Sequence, residues 1–304
     1  IFGLSGTSDA LEKIRDLVVK YSIEEEPVLL SGATGVGKNH IAGLIHRCSG
    51  RKGKFIIVDT PNIDQNLFES KLFGHKKGAF TDAKFDKTGL VEEAEKGTLF
   101  FDEVTEVPLE IQAKLLRFID TRKYYTLGES TEKQADVRFI AATNKDLPEA
   151  VADKEFRRDL LYRLNVLEIK IPPLHERKED IKNLVLDNRV LLRNKEIGDG
   201  FWDAVNDYRW PGNVRELLNV LKRAGIMLDS PITGKKLLSL IDVDARKGEQ
   251  FIEDSGSPAG ETREAILAGG NFWDIIWRPF IDRDLDRSAV KKILKEFYLE
   301  NSSN

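Results

Sequence analysis

The stretch GATGVGKN, Gly32 to Asn39, constrains this chain more than any other. It follows the apolar run PVLL and precedes HIAGLIHRC, whose apolar residues recur at helical spacing. Gly32, Gly35 and Gly37 let the backbone curl around a polyphosphate with its N–H groups pointing inward. The helix N-terminus adds positive potential, and Lys38 reaches the terminal phosphates. Ala33, Thr34 and Val36 complete the loop. Strand, glycine loop and helix in that order demand a sheet edge against which the loop can sit.

The rest of the chain supplies one. Apolar runs rich in β-branched or aromatic residues recur at 27–32, 54–59, 97–103, 137–144 and 165–171. Helical patterns lie between most of them, as in LEIQAKLLRFID, where Ile111, Leu115, Leu116 and Ile119 share one face. Buried strands alternating with helices predict an α/β fold with a parallel sheet core over residues 1–175. From about residue 176 the strands stop, and EDIKNLVLDNRVLLRN and GNVRELLNVLKRAGIML predict a helical subdomain to residue 242. Residues 243–260, polar and rich in Gly, Ser and charge, read as a linker, and 261–304 as a C-terminal helical segment.

Bulk properties exclude several classes. No run approaches the eighteen or so apolar residues of a spanning helix, and no basic region followed by an apolar one opens the chain, so a cytoplasmic protein without membrane contact is expected. A formal net charge of -4 argues against electrostatic coating of nucleic acid. The one cysteine, Cys48, excludes an internal disulfide and reads as a buried bystander. The chain opens on Ile1 rather than Met, so a fragment with further domains at either end is expected.

Chemistry gathers around the phosphate loop. GTLFFDE describes a buried strand whose C-terminal end delivers Asp102 and Glu103. Asp102 would hold magnesium, and Glu103 would orient and polarise an attacking water, which is ATPase chemistry. Asn39 stands where Ser or Thr usually ligates that ion, so the metal leans on other groups. Asn144, ending FIAATN, either bonds the water or γ-phosphate or caps a following helix. FRRDLLYRLN carries Arg157 and Arg163, which form either a solvated basic face or a pair that enters a neighbouring subunit's nucleotide site. In GHKKGAFTDA, residues 74–83, Phe80 and Thr81 read as exposed between small and charged residues, where no core needs them.

The ordered set GATGVGK, LFGHKKGAFTDA, GTLFFDEV, RFIAATNKDL, FRRDLLYRLN, IPPLHERKEDI and WPGNVREL closely resembles the central AAA+ domain of the sigma-54-dependent bacterial activators, from about Gly3 to Leu228. The resemblance implies an AAA+ P-loop ATPase subdomain followed by an α-helical lid, assembled as a homo-hexamer that binds ATP and Mg. Lys38 and Gly37 then resemble Walker A residues, Asp102 and Glu103 Walker B, and Asn144 sensor I. Arg157 and Arg163 resemble trans-acting arginines, and Arg215 in NVREL a sensor II arginine. Residues Gly78, Ala79, Phe80, Thr81, Asp82 and Ala83 would form the loop that touches sigma-54 RNA polymerase, and the hairpin-like 122–131 a second moving element.

Three positions depart from the family pattern. Asp82 replaces the second glycine of the loop and removes backbone freedom at its tip. Asp59 stands where the family has an asparagine restraining the Walker B glutamate, so a carboxylate facing Glu103 is expected to disturb that coupling. Asn39 takes the place of a glutamate. Asp59 and Asp82 also fit a nucleotide-gated binding module acting on a partner other than sigma-54. AGGN and LDRSAVKKILKEFYLE resemble a terminal helix-turn-helix that would contact DNA, whereas FWDIIWRPFIDRD fits a packed helix better; a DNA-binding unit beyond Asn304 is the other expectation.

Overall fold

Residues 3–249 are described in the computed structural model. Ser8 opens helix α1 (Asp9–Ser22), its hydroxyl accepting from the Leu11 N–H at 3.2 Å. Asp9 and Glu12 in the first turn and Lys20 in the last complement the helix dipole, while Leu11, Ile14 and Val18 form the buried stripe. There follow β1 (Val28–Ser31), α2 (Lys38–Cys48), β2 (Phe55–Asp59), the short helices α3 (Phe68–Phe73) and α4 (Leu90–Glu93), and β3 (Thr98–Asp102). Next come α5 (Leu109–Thr121), a hairpin of β4 (Lys123–Tyr125) and β5 (Glu132–Gln134), then β6 (Arg138–Thr143), α6 (Leu147–Ala152), α7 (Arg158–Leu164) and β7 (Leu167–Lys170).

Five strands form one parallel sheet in the order β2-β3-β6-β1-β7. The sheet is covered on both faces, which is why its central strands are apolar throughout rather than alternating. In β3, Leu99 and Phe101 point to one core while Phe100 points to the other. In β6, Phe139 and Ala141 join the first and Ile140 and Ala142 the second. The first core is closed by α3, α5 and α7, the second by α1 and α2. Phe100, Phe101 and Phe139 are each at most 1% exposed, so each contributes roughly 1.5–3 kcal/mol by burial. Because all five strands run the same way, their C-terminal ends share one edge of the sheet.

After Lys170 the regular elements are helical: α8 (Glu179–Asp187), α9 (Phe201–Asp207), α10 (Asn213–Met227) and α11 (Gly234–Glu249). Close contacts divide the chain into units 1–240 and 241–304, and of the second only the end of α11 is described.

Three expectations differ from the structure. The helix expected over EDIKNLVLDNRVLLRN breaks at Asn188, whose side chain returns to the Leu184 carbonyl at 2.8 Å, and continues as a 3-10 turn, Arg189–Leu192. The first part of the expected linker, 243–249, is helical and belongs to α11; its Ala, Arg, Lys and Glu are good helix formers whose charge imitates a loop. Cys48 is exposed rather than buried, because it lies in the last turn of α2 off the stripe of Ile41, Ala42, Leu44 and Ile45. Residues 250–304, which include the rest of the linker and the expected helix-turn-helix, lie outside the described residues. Among the described residues no helix is long and apolar enough to cross a membrane.

Candidate active site

The shared C-terminal edge of the sheet gathers four loops. The Gly32 N–H, just past β1, donates to the Thr143 carbonyl at the end of β6 at 3.2 Å, which registers the phosphate loop against Asn144. Gly35 adopts φ +80°, and a Cβ there would stand 2.3 Å from the Gly212 carbonyl, so the loop and the start of α10 approach as only glycine allows. The Arg215 N–H donates to the Gly35 carbonyl at 3.2 Å, so Arg215 lies against the loop.

Lys38 is 5% exposed, with its ammonium donating to the Gly32 carbonyl at 2.8 Å and lying 3.2 Å from Glu103 Oε1. The other Glu103 oxygen accepts from the Asn144 N–H at 2.8 Å. Asn144 Nδ2 in turn donates to Thr34 Oγ1 at 3.0 Å. Asn39 Nδ2 donates to Asp102 Oδ2 at 2.8 Å. Thr34, Asn144, Glu103 and Lys38 thus form one linked chain of contacts, with the Asn39–Asp102 pair beside it, all drawn from three strand ends. Glu103 takes a left-handed backbone at φ 58°, a conformation costing about 1–2 kcal/mol for a residue with a side chain, which this cluster sustains. Asp59 ends β2 opposite Asp102, but its carboxylate accepts from Asn62 Nδ2 at 2.8 Å, while both Glu103 oxygens are engaged by Lys38 and Asn144.

The arginines of α7 stand elsewhere. Arg157 grips Asp159 through two bonds of 3.0 and 2.8 Å, which raises its pKa, and its N–H donates to Gln112 Oε1 at 2.8 Å. Gln112 is fully buried and donates to the Val107 and Glu155 carbonyls, so it fixes the start of α7. An open cavity of about 440 Å³ is lined by Arg157, Arg158, Asp159 and Tyr162. Arg163 Nε lies 2.8 Å from Asp120 Oδ1. Both arginines pair with residues outside the phosphate-loop cluster.

The 74–89 loop joins α3 to α4. Its ends pinch together: a Cβ on Gly89 would lie 2.4 Å from the Gly74 nitrogen. His75 pairs in bridges with Lys87 and Leu127, and Lys76 N–H donates to the Leu127 carbonyl at 2.9 Å, so the β4–β5 hairpin braces the loop base. A Cβ on Gly128 would meet Ala79 Cβ at 2.9 Å. Phe80 is half-buried, not exposed as its neighbours suggested, because its ring sits edge-on to His75 with centroids 5.0 Å apart. Ala83 is buried at 5% exposure, whereas Thr81, Asp82 and Phe85 are exposed, Phe85 at 78%. Asp82 is not among the residues with positive φ, so it carries no left-handed strain here. Gly78, at φ +84°, supplies the tight turn instead.

Two further residues reach the phosphate loop, Asn213 in WPGNVREL and Arg177 in IPPLHERKEDI, segments that carried the family resemblance without a role for either side chain. Asn213 Nδ2 donates to the Thr34 carbonyl at 2.9 Å, and Arg177 Nη2 to the Val36 carbonyl at 2.9 Å. Burial pushes the Arg177 pKa down, and the charge of Asp180 opposes that only partly.

Comparison with known proteins covers both the sheet domain and the helical region. A family described as the sigma-54 interaction domain matches residues 4–170, and one described as the AAA+ ATPase lid domain matches 175–250. The alginate biosynthesis transcriptional regulatory protein AlgB of Pseudomonas putida is 44% identical over 74% of this chain and 52% of its own length. The transcriptional regulatory protein FlgR of Helicobacter pylori is 41% identical over 77% of this chain and 63% of its own length. The chain spans about half the length of AlgB. NtrX from Brucella abortus in complex with ATP superposes with a TM-score of 0.70 at 27% identity, covering 97% of this chain and 69% of that one. RuvB of Thermotoga maritima, at 17% identity and a TM-score of 0.52 over 86% of this chain and 76% of its own, shares the fold.

Proposed function

Because the chain belongs to the sigma-54 interaction domain family of AAA+ ATPases, we propose that it hydrolyses ATP to drive the 74–89 loop against sigma-54 RNA polymerase and so opens promoters. The observation that carries this reading is the Lys38, Asn39, Asp102, Glu103 and Asn144 cluster at the sheet edge, in contact with the phosphate loop.

Lys38, freed from Glu103, neutralises the terminal phosphates. Glu103 then orients the attacking water and takes up its proton, with the Asn144 N–H holding the carboxylate in place. Asp102, whose Oδ2 accepts from Asn39 Nδ2 at 2.8 Å, would hold Mg, which would offset charge on the phosphates. Arg215 reaches the same nucleotide from α10. Arg157 and Arg163 serve a neighbouring subunit of a hexamer, which accords with their pairing away from their own phosphate loop. Positioning and electrostatics do the chemistry, with no covalent intermediate. Phe80 and Thr81 make the sigma-54 contact, with Gly78, Ala79, Asp82 and Ala83 shaping the turn. The subdomain boundary lies near 175, and the protein acts in the cytoplasm, with DNA contact left to the C-terminal residues or to further domains.

Glu103→Gln tests the assignment. It should bind ATP normally yet lose turnover by about 100-fold or more, while the wild-type chain activates transcription from a sigma-54 promoter in an ATP-dependent way. Unchanged turnover in this variant would sink the assignment.

A further inference from the structure

Three successive carbonyls of the phosphate loop are each held from the helical region. Thr34 O accepts from Asn213 Nδ2, Gly35 O from the Arg215 N–H, and Val36 O from Arg177 Nη2. Arg177 is the unusual member. It is 4% exposed, its Nε has no hydrogen-bond partner, and the carboxylate it faces, Asp180 Oδ2, is 4.0 Å away. A buried guanidinium so sparsely paired is a poor stabiliser, because lost hydration offsets the attraction it gains. Its one good hydrogen bond goes to the loop that must present its N–H groups to phosphates.

Asp180 is fully buried and serves a different segment. Its Oδ1 accepts from the N–H groups of Thr7 and Ser8 at 2.7 and 2.8 Å, and its Oδ2 from the Ser8 hydroxyl at 2.7 Å. Gly6 presses on it, since a Cβ there would stand 2.3 Å from Oδ1. The segment leading into α1 and the phosphate loop are therefore opposite ends of one chain of contacts through Asp180 and Arg177.

We propose that Arg177 is a positioning residue that sets the Val36 peptide of the phosphate loop, and that Asp180 transmits to it the placement of Gly6–Ser8. A displacement of the chain entering α1 then changes nucleotide affinity at the opposite side of the same contacts. The inference rests on nucleotide binding at this site, not on hydrolysis or on sigma-54.

The test uses the full chain, ATP titration, steady-state turnover and urea unfolding. Arg177→Met, which leaves the buried Asp180 without its cation, should lower the urea midpoint while the chain stays folded, and raise the ATP Kd and KM about tenfold with kcat within about twofold. Arg177→Lys, which restores one donor, should recover part of the affinity. Gly6→Ala should raise the Kd about threefold in the wild-type background and add nothing in the Arg177→Met background. Unchanged ATP affinity in Arg177→Met, or a loss of which Arg177→Lys recovers none, overturns the positioning role. Effects that multiply in the double variant overturn the Asp180 connection. A wild-type chain that binds ATP without turning it over would count against the proposed function while leaving this affinity test intact.

Discussion

The phosphate loop and the 74–89 loop are both glycine-bearing connections at the surface of one sheet, yet they are held in opposite ways. The first is gripped along its length: Gly32 by β6, and Thr34, Gly35 and Val36 by the helical region. The second is fastened most firmly at its root, by the Gly74–Gly89 pinch and the bridges of His75, with Phe80 resting on His75 and Thr81, Asp82 and Phe85 exposed at its far end. A ligand site needs its donors fixed in advance, because ordering them on binding would subtract from affinity. A contact that must move needs a firm base and a loose tip. The two modes of attachment match these two tasks.

Substitutions can break this contrast at either end. Lys38→Ala removes the cation that anchors Gly32 O and faces Glu103, so ATP affinity should fall on the order of 100-fold, about 2.7 kcal/mol, in a nucleotide titration. Gly89→Ala forces a Cβ into the Gly74 backbone and should lower stability by about 1–3 kcal/mol in urea, with ATP affinity within about twofold of wild type. An equal loss of affinity would show that the two loops are not separately held. Phe80→Ala, at a half-buried position, should lower stability by less than about 1 kcal/mol while abolishing co-elution with sigma-54 in the presence of a transition-state mimic of ATP. Retained co-elution would move the contact to Phe85.

The smallest effect concerns alkaline pH. Burial pushes Tyr124, stacked on Phe73 beneath the loop root, up to about 12. The unfolded phenol ionises near 10, so its contribution is fully present below pH 10 and is lost as pH rises towards 12. The urea midpoint should therefore fall more steeply above pH 10 in wild type than in Tyr124→Phe.

Much of the fold was legible because its signals are local. The five strands lie where β-branched and aromatic runs sit, and the glycine loop, Asp102 and Glu103 fall at strand ends that a parallel sheet brings to one edge. Asn213, Arg177 and Asp180 were not legible. Each lies in a segment that carried the family resemblance, but its partner is 141 to 179 residues away, so nothing local told what the side chain holds. Phe80 misled for a related reason: its neighbours are small and charged, but its partner is His75, which the bridges to Lys87 and Leu127 place beside it. The helical 243–249 shows the converse error, where charge masks helix propensity.

The pinch at Gly74 and Gly89 also bears on how such a chain can diversify. Since the backbone leaves α3 and enters α4 at nearly one point, residues 75–88 behave as an exchangeable insert: lengthening or rewriting them adds little closure entropy and leaves the strand register untouched. Asp82 and Phe85 lie exposed within that insert, so changing either alters the surface the loop presents without touching the sheet behind it.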